Sequence, residues 1–224
     1  MTRILVTGST GLIGAEVVRH ATGLGHQVSE LRRTGPSPCD LTDAAAVRAL
    51  VAATRPEVIV HAGAWTDVDG CELDPDRAHA VNVGGTEHVV AAAAEVGAHI
   101  VLISTDLVFD GTKPSPYVET DETNPISVHG RTKLLAEQAV GTAHTIVRTS
   151  WVNGGRPDQP VDDMVRTVLR LAATGERMRF VDDQIGRPTF TADLAPALLS
   201  LALDRPGGTW HVTNQGSCSW FAFA

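Results

Sequence analysis

Ile4-Leu5-Val6-Thr7-Gly8-Ser9-Thr10-Gly11-Leu12-Ile13-Gly14 is the stretch on which the reading of the fold turns. Its apolar run meets glycines at once, and residues 12–24 then carry Leu12, Ile13, Val17 and Ala21 on one helical face up to Gly25. The glycine spacing is GxxGxxG. The first glycine permits a tight turn, the second lets backbone approach a pyrophosphate, and the third allows close helix–strand packing. Amides at the opening of the helix, Thr10 to Ile13 among them, would face the phosphates. Taken alone, the glycines also suit a turn with no ligand. The strand before and the helix after point to nucleotide binding.

Outward from this turn, strand and helix signals alternate. Strands are expected at Val28–Leu31, Asp40–Leu41, Val58–Val60, Ile100–Ile103, Thr145–Val147, Met178–Val181 and Thr209–Val212. Helices are expected from a Thr42 or Asp43 cap to about Thr54, and over 76–96, 127–140, 161–173 and 192–203, with a Pro/Gly-rich loop at 110–126. This alternation predicts an α/β, doubly wound parallel sheet of Rossmann type. Residues 1–150 are expected to form the dinucleotide-binding domain. A smaller substrate-binding part, 151–224, would interleave with the sheet. The apolar ending from Ser217 to Ala224 reads as the first turns of a helix, which suggests a shortened C-terminal part.

Composition narrows the function. The 224 residues are 43% hydrophobic and 20% charged, ordinary for a globular chain. A net charge of −8 argues against nucleic acid or an anionic membrane as partner. No apolar run reaches the ~18–20 residues that span a bilayer. Cys39, Cys71 and Cys218 are scattered, and no histidines are paired at metal spacing. Reduced thiols, a cytoplasmic location and no metal are the expectations. Lys113 and Lys133 are the only lysines.

The end of the second strand bears on the cofactor. In Glu30-Leu31-Arg32-Arg33, the two arginines suit the 2′-phosphate of NADP, whereas Glu30 keeps NAD open. Asp40-Leu41 is placed to flank an adenine, and His61-Ala62-Gly63-Ala64 offers small residues where backbone passes a ligand. The fifth strand ends in Ser104-Thr105-Asp106, at the edge where such sheets bind ligands. His129 and Lys133 lie four apart on one helical face. A hydroxyl, an imidazole and a lysine beside a nicotinamide are parts for carbonyl reduction.

An ordered set of segments carries a resemblance over nearly the whole chain. It comprises VTGSTGLIG, DLTD, RPEVIVHAGAWTDVDGCE, AVNVGGTEHV, ISTDLVFDGTKPSPYVETDETNPISVHGRTKLLAE, RTSWV, DDQIGRPTFTADLA and GTWHVTNQGSCSWFAFA. The chain resembles the extended short-chain dehydrogenase/reductase superfamily, and within it the dTDP-4-dehydrorhamnose reductases. The resemblance implies reduction of a nucleotide-linked 4-keto-6-deoxysugar, with NADP(H) preferred and NAD(H) open. It implies that Thr105 bonds the keto oxygen and that Lys133 holds the nicotinamide ribose and tunes the acid. Cofactor contacts are implied for Gly8, Gly11, Leu12, Ile13, Gly14, Asp40, Leu41, Ala62, Gly63, Ala64 and Asn82. Substrate contacts are implied for Thr105, Asp106, Val108, Trp151, Arg187 and Pro188. A homodimer is an open arrangement.

The chain departs from that family in telling places. His129 stands where the family has its YxxxK tyrosine, Leu107 replaces the tyrosine usual after STD, and His61-Ala62-Gly63 replaces Asn-Ala-Ala. The only tyrosine is Tyr117, in the loop. Imidazole titrates near ~6.5 and can donate a proton, while a neighbouring lysine pushes it toward neutral. Two further readings stay open: a nucleotide-binding regulatory subunit that no longer catalyses, and a reductase of another small carbonyl or imine.

Overall fold

The computed structural model describes residues 1–34, 38–155, 161, 163–175 and 177–224. Six parallel strands form its central sheet: β1 (Arg3–Thr7), β2 (Gln27–Leu31), β3 (Val58–His61), β4 (His99–Thr105), β5 (Thr145–Thr149) and β9 (Gly208–His211). Their spatial order is β2-β1-β3-β4-β5-β9. The chain moves from β1 to one side and then crosses to β3 on the other, so the order reverses between β1 and β3. Crevices at such reversals take ligands.

The strands read as unbroken apolar runs because both faces are covered. Leu5, Ile59, Ile100 and Leu102 point to one core, with α2 (Ala44–Thr54), α5 (Gly85–Val96) and α6 (Val128–Val140). Ile4, Val6, Val60, Val101 and Ile103 point to the other, against α1 (Leu12–Gly23) and α8 (Thr191–Asp204). The period-two alternation inside each strand therefore feeds two helical layers.

Several expectations change. Asp40–Leu41 is a turn, not a strand: Asp40 Oδ1 accepts from Thr42 N at 2.9 Å and Thr42 Oγ1 at 2.8 Å. That turn feeds the Asp43 cap, whose side chain accepts from Ala46 N. Met178–Val181 forms no strand. Two short pairs that the sequence did not signal flank it instead. Val152–Asn153 (β6) pairs with Thr189–Phe190 (β8), and Ile185–Gly186 (β7) pairs with Cys218–Ser219 (β10).

The helix expected over 161–173 is α7 (Met164–Ala172), and position 162 lies outside the described residues. The long 76–96 pattern is helical but not uniform. α4 (Pro75–His79) and α5 are joined by a π-helical turn over Ala80–Gly84. α3 (Val68–Leu73) precedes them, and α9 (Trp220–Phe223) ends the chain. Trp210 is 41% exposed on the outermost strand. No helix among the described residues is long and apolar enough to cross a membrane.

Candidate active site

The glycine turn closes against the end of β3. Gly8 sits at φ +64, and a Cβ there would lie 2.7 Å from Gly63 Cα. A Cβ on Gly14 would overlap the Gly8 carbonyl oxygen. The turn is drawn tight by Gly8 N to Leu31 O and Gly11 N to Gly8 O, both 3.0 Å. α1 opens behind Gly11 with no side chain capping its amides. Ser9 Oγ is buried and has no hydrogen-bond partner. Free amides, a positive helix end and an unpartnered hydroxyl fit an anionic diphosphate.

A buried wire supports this cradle. Gly63 N donates to Thr7 Oγ1 at 3.0 Å, Thr7 Oγ1 meets His61 Nδ1 at 2.6 Å, and His61 Nε2 meets Thr86 Oγ1 at 3.1 Å. Thr86 donates its single proton to Asn82 O at 2.6 Å. Thr86 must then accept from His61, which places the imidazole proton on Nε2 and makes Thr7 the donor to Nδ1. Burial first, then the Lys133 charge, lowers His61 to about 3, so the ring is neutral. The wire runs from the glycine crossing to the π-helical turn. Asn82 there spends its side chain on Trp65 N (2.7 Å), Trp65 O (3.1 Å) and Thr132 Oγ1 (3.1 Å).

The reacting end forms where α6 meets the turn after β4. Ser127 caps α6 by accepting from Gly130 N, and a Cβ on Gly130 would overlap the Leu107 carbonyl oxygen. Glycine at 130 thus lets the helix touch the 3₁₀ turn Asp106–Val108. His129 and Lys133 are both 5% exposed. Lys133 Nζ donates to Ile103 O at 2.7 Å. Burial lowers the ammonium to about 8, with Glu137 pulling the other way, so it stays charged at neutral pH. His129 Nδ1 lies 3.2 Å from Trp65 O. A carbonyl only accepts, so Nδ1 carries the proton and the neutral ring offers Nε2 as a lone pair. Burial, then Lys133, brings His129 down to about 4, against the opposing pull of Trp65 O.

Thr105 Oγ1 accepts from Leu107 N and donates to Asp106 Oδ1, each at 3.2 Å. Ser150 Oγ donates to Asp106 Oδ2 at 2.7 Å. Burial raises the Asp106 carboxyl, while the hydrogen bonds pull it back. Tyr117 has its hydroxyl committed in the loop. Its hydroxyl donates to Asp110 Oδ1 at 2.7 Å and accepts from Lys113 N at 3.1 Å, and its ring stacks on Phe109.

Position 137, one turn beyond Lys133, holds the floor of the site. Glu137 is 4% exposed and receives Arg148 Nε at 3.0 Å and Nη2 at 2.7 Å, together with Ser104 Oγ. Sequence reasoning missed this pair and the His61 wire. The signal was present as the 129–133–137 spacing on one helical face.

The remaining expected residues surround this centre. Trp151 adopts φ 43, and its ring stacks on Trp220 at 3.6 Å. Gly186 has no room for a Cβ beside the Trp151 indole, and Trp151 O accepts from Thr189 N at 3.0 Å. Arg187 and Pro188 are half-buried beside it, with Pro188 on the wall of a cavity of about 490 Å³. Arg32 lies 3.7 Å from Glu30, and Arg33 is exposed. Asp40 and Thr10 are exposed; Leu12, Ile13, Ala62 and Ala64 are half-buried. Leu41 is buried beside Gly63 and Gly85. Val108 is fully buried and Asn82 nearly so, which leaves both to act on the site through neighbours. Among the described residues no His, Cys, Asp and Glu group is placed to hold a metal ion.

Comparison with known proteins agrees with this geometry. The family described as RmlD substrate binding domain matches residues 1–224. Spore coat polysaccharide biosynthesis protein SpsK of Bacillus subtilis (strain 168) is 38% identical over 227 residues, covering 100% of this chain and 77% of that protein. A dTDP-4-dehydrorhamnose reductase of Streptomyces griseus is 42% identical over 233 residues, covering 99% of this chain and 74% of that enzyme. The crystal structure of dTDP-4-dehydrorhamnose reductase from Bacillus anthracis in complex with NADP superposes with a TM-score of 0.92 at 35% identity, covering 100% of this chain and 79% of that one. A glycine cradle built for a diphosphate, a buried lysine at the carboxyl edge of the sheet and this match from end to end place the chain in the RmlD substrate-binding-domain family of the extended short-chain dehydrogenases/reductases.

Proposed function

We propose that the chain is an NADP(H)-dependent reductase of a dTDP-linked 4-keto-6-deoxysugar, with NAD(H) a weaker alternative. The observation that carries the reading is that α6 sets Lys133 and His129 against the end of β4 and the turn that follows Thr105, on the same sheet whose first strand leads into the open α1 cradle. The bound dinucleotide supplies the hydride. Ser9, Thr10 and the amides from Gly11 to Gly14 hold its diphosphate, and Arg32 and Arg33 meet a 2′-phosphate. Asp40, Leu41, Ala62, Gly63 and Ala64 line its adenosine half, with Asn82 shaping the wall through Trp65. Lys133, charged at neutral pH, bonds the nicotinamide ribose. Thr105 receives the keto oxygen, and Asp106, Trp151, Arg187 and Pro188 form the sugar-nucleotide side, with the fully buried Val108 supporting the turn behind them. Residues 1–150 serve as the dinucleotide platform and 151–224 as the substrate part.

The test is NADPH consumption by the purified chain with a dTDP-4-keto-6-deoxysugar, with the alcohol identified by NMR. Turnover with this substrate, and none with simple ketones or imines, is the expected result. NADPH binding with no turnover would instead support a regulatory subunit, a reading that the proton-free Nε2 of His129 favours.

A further inference from the structure

We propose that Asp106 is the proton source for this reduction, passing its proton to the keto oxygen through the Thr105 hydroxyl. The inference rests on the reductase reading above. It begins with a hydrogen-bond count. At neutral pH the His129 ring holds its one proton on Nδ1, against Trp65 O, so its Nε2 can only accept. The tyrosine that acts here in relatives is missing, and Tyr117 is committed to Asp110. Thr105 is the hydroxyl at the strand end, but its single proton points to Asp106 Oδ1. With Asp106 ionised, Thr105 has no proton left for a substrate.

Protonating Asp106 reverses that bond. The carboxylic acid then donates to Thr105 Oγ1, which accepts from both Asp106 and Leu107 N, within a hydroxyl's capacity of two. The Thr105 proton is freed to face the keto oxygen. As the keto carbon takes hydride from the reduced nicotinamide, its C=O π pair moves to oxygen. The Thr105 O–H bond breaks as the new O–H forms on the sugar, and the Asp106 O–H bond breaks as Thr105 is reprotonated. The products are the alcohol, the oxidised nicotinamide and the Asp106 carboxylate, which solvent reprotonates.

The surroundings favour a carboxyl that holds its proton unusually well. Burial outweighs the bonds from Ser150, Thr105 and the turn amides, and the shift is upward. The ionisable groups on α6, which packs on this turn, are His129, Arg131, Lys133 and Glu137. Burial pushes His129 and Lys133 toward their neutral forms, Arg131 is exposed and donates to Ile126 O, and Glu137 is paired. From β5, Arg148 is spent on Glu137.

The test compares kcat–pH profiles of the wild type, Asp106→Asn and His129→Gln, alongside a ¹³C NMR titration of aspartate carboxyls in the resting protein. Wild-type kcat should fall as pH rises past the Asp106 titration. Asp106→Asn keeps the hydrogen bonds but holds no acid. Its kcat should drop at least about tenfold, at the low end for a lost general acid, with KM within about threefold and the pH limb gone. The limb should persist in His129→Gln. One carboxyl should titrate above the ordinary aspartate range, vanish in Asp106→Asn and shift in Thr105→Val. A raised KM with unchanged kcat would make Asp106 a sugar-holding residue and overturn the proposal, as would an unchanged pH limb. If no form consumes NADPH, the reductase reading falls. The titration still decides on Asp106, and an ordinary value there would reject the relay.

Discussion

Replacing Glu137 by leucine would leave the Arg148 guanidinium buried without a counter-charge. Both side chains are almost closed to solvent, at 4% and 7% exposure. Arg148 already has one donor, Nη1, without a partner, so the lost carboxylate has no ready substitute. Stranding one member of a buried pair costs about 3–5 kcal/mol. For a chain of 224 residues, each kcal/mol moves Tm by roughly 2–4 °C, so a fall of about 10 °C is expected. Glu137→Leu with Arg148→Met should recover most of it, because two matched apolar groups need no solvation. Thermal melts and urea titrations of the wild type, both single variants and the double variant form a closed cycle. A loss below about 1 kcal/mol in the single variant, or a double variant as weak as the sum of the singles, would refute the reasoning. The pair also joins α6 to β4 and β5, so the folded variant should bind NADPH more weakly through a displaced Lys133.

Acid should destabilise the protein early. His61 and His129 are held near 3 and 4 against an ordinary 6.5, so the unfolded chain takes up their protons first. Their contribution is complete above about pH 6.5 and is lost on acidification at roughly 1.4 kcal/mol per ring per pH unit. Urea unfolding at pH 7.5, 6 and 5 should show it, and a flat profile would contradict the buried neutral rings. His129→Tyr should raise kcat at least about tenfold by restoring a phenol acid beside Lys133; an unchanged rate would show that this position does not reach the reacting oxygen. Arg32→Ala with Arg33→Ala should weaken NADPH at least about tenfold more than NADH, since about 1.4 kcal/mol of charged hydrogen bonding is a factor of ten. Equal losses for both cofactors in calorimetry would remove the arginines from 2′-phosphate recognition.

The doubly wound sheet was legible because its strands are short apolar runs punctuated by glycine and proline, a pattern forced by burial on both faces. The glycine turn was legible because its residues answer a local backbone need at Gly8 and Gly14. Asp40–Leu41 misled because two residues carry no period, and the Asp40 side chain satisfies Thr42 locally. Pairings of two residues, such as Val152–Asn153 with Thr189–Phe190, depend on partners more than thirty positions away and leave no local trace. The residues of the reacting centre were visible as types and spacings. Their protonation was not. Whether His129 gives or takes a proton depends on Trp65 O, sixty-four residues earlier in the chain, and on burial that no spacing encodes.

The whole account stands on a dinucleotide seated on the opening of α1. Calorimetric titration of the purified chain with NADPH, beside its Gly14→Ala variant, tests this most directly. One site per chain, with affinity lost when a methyl group is driven into the Gly8 carbonyl, is the predicted result. No heat with NADPH or NADH, or equal binding by both proteins, would contradict it.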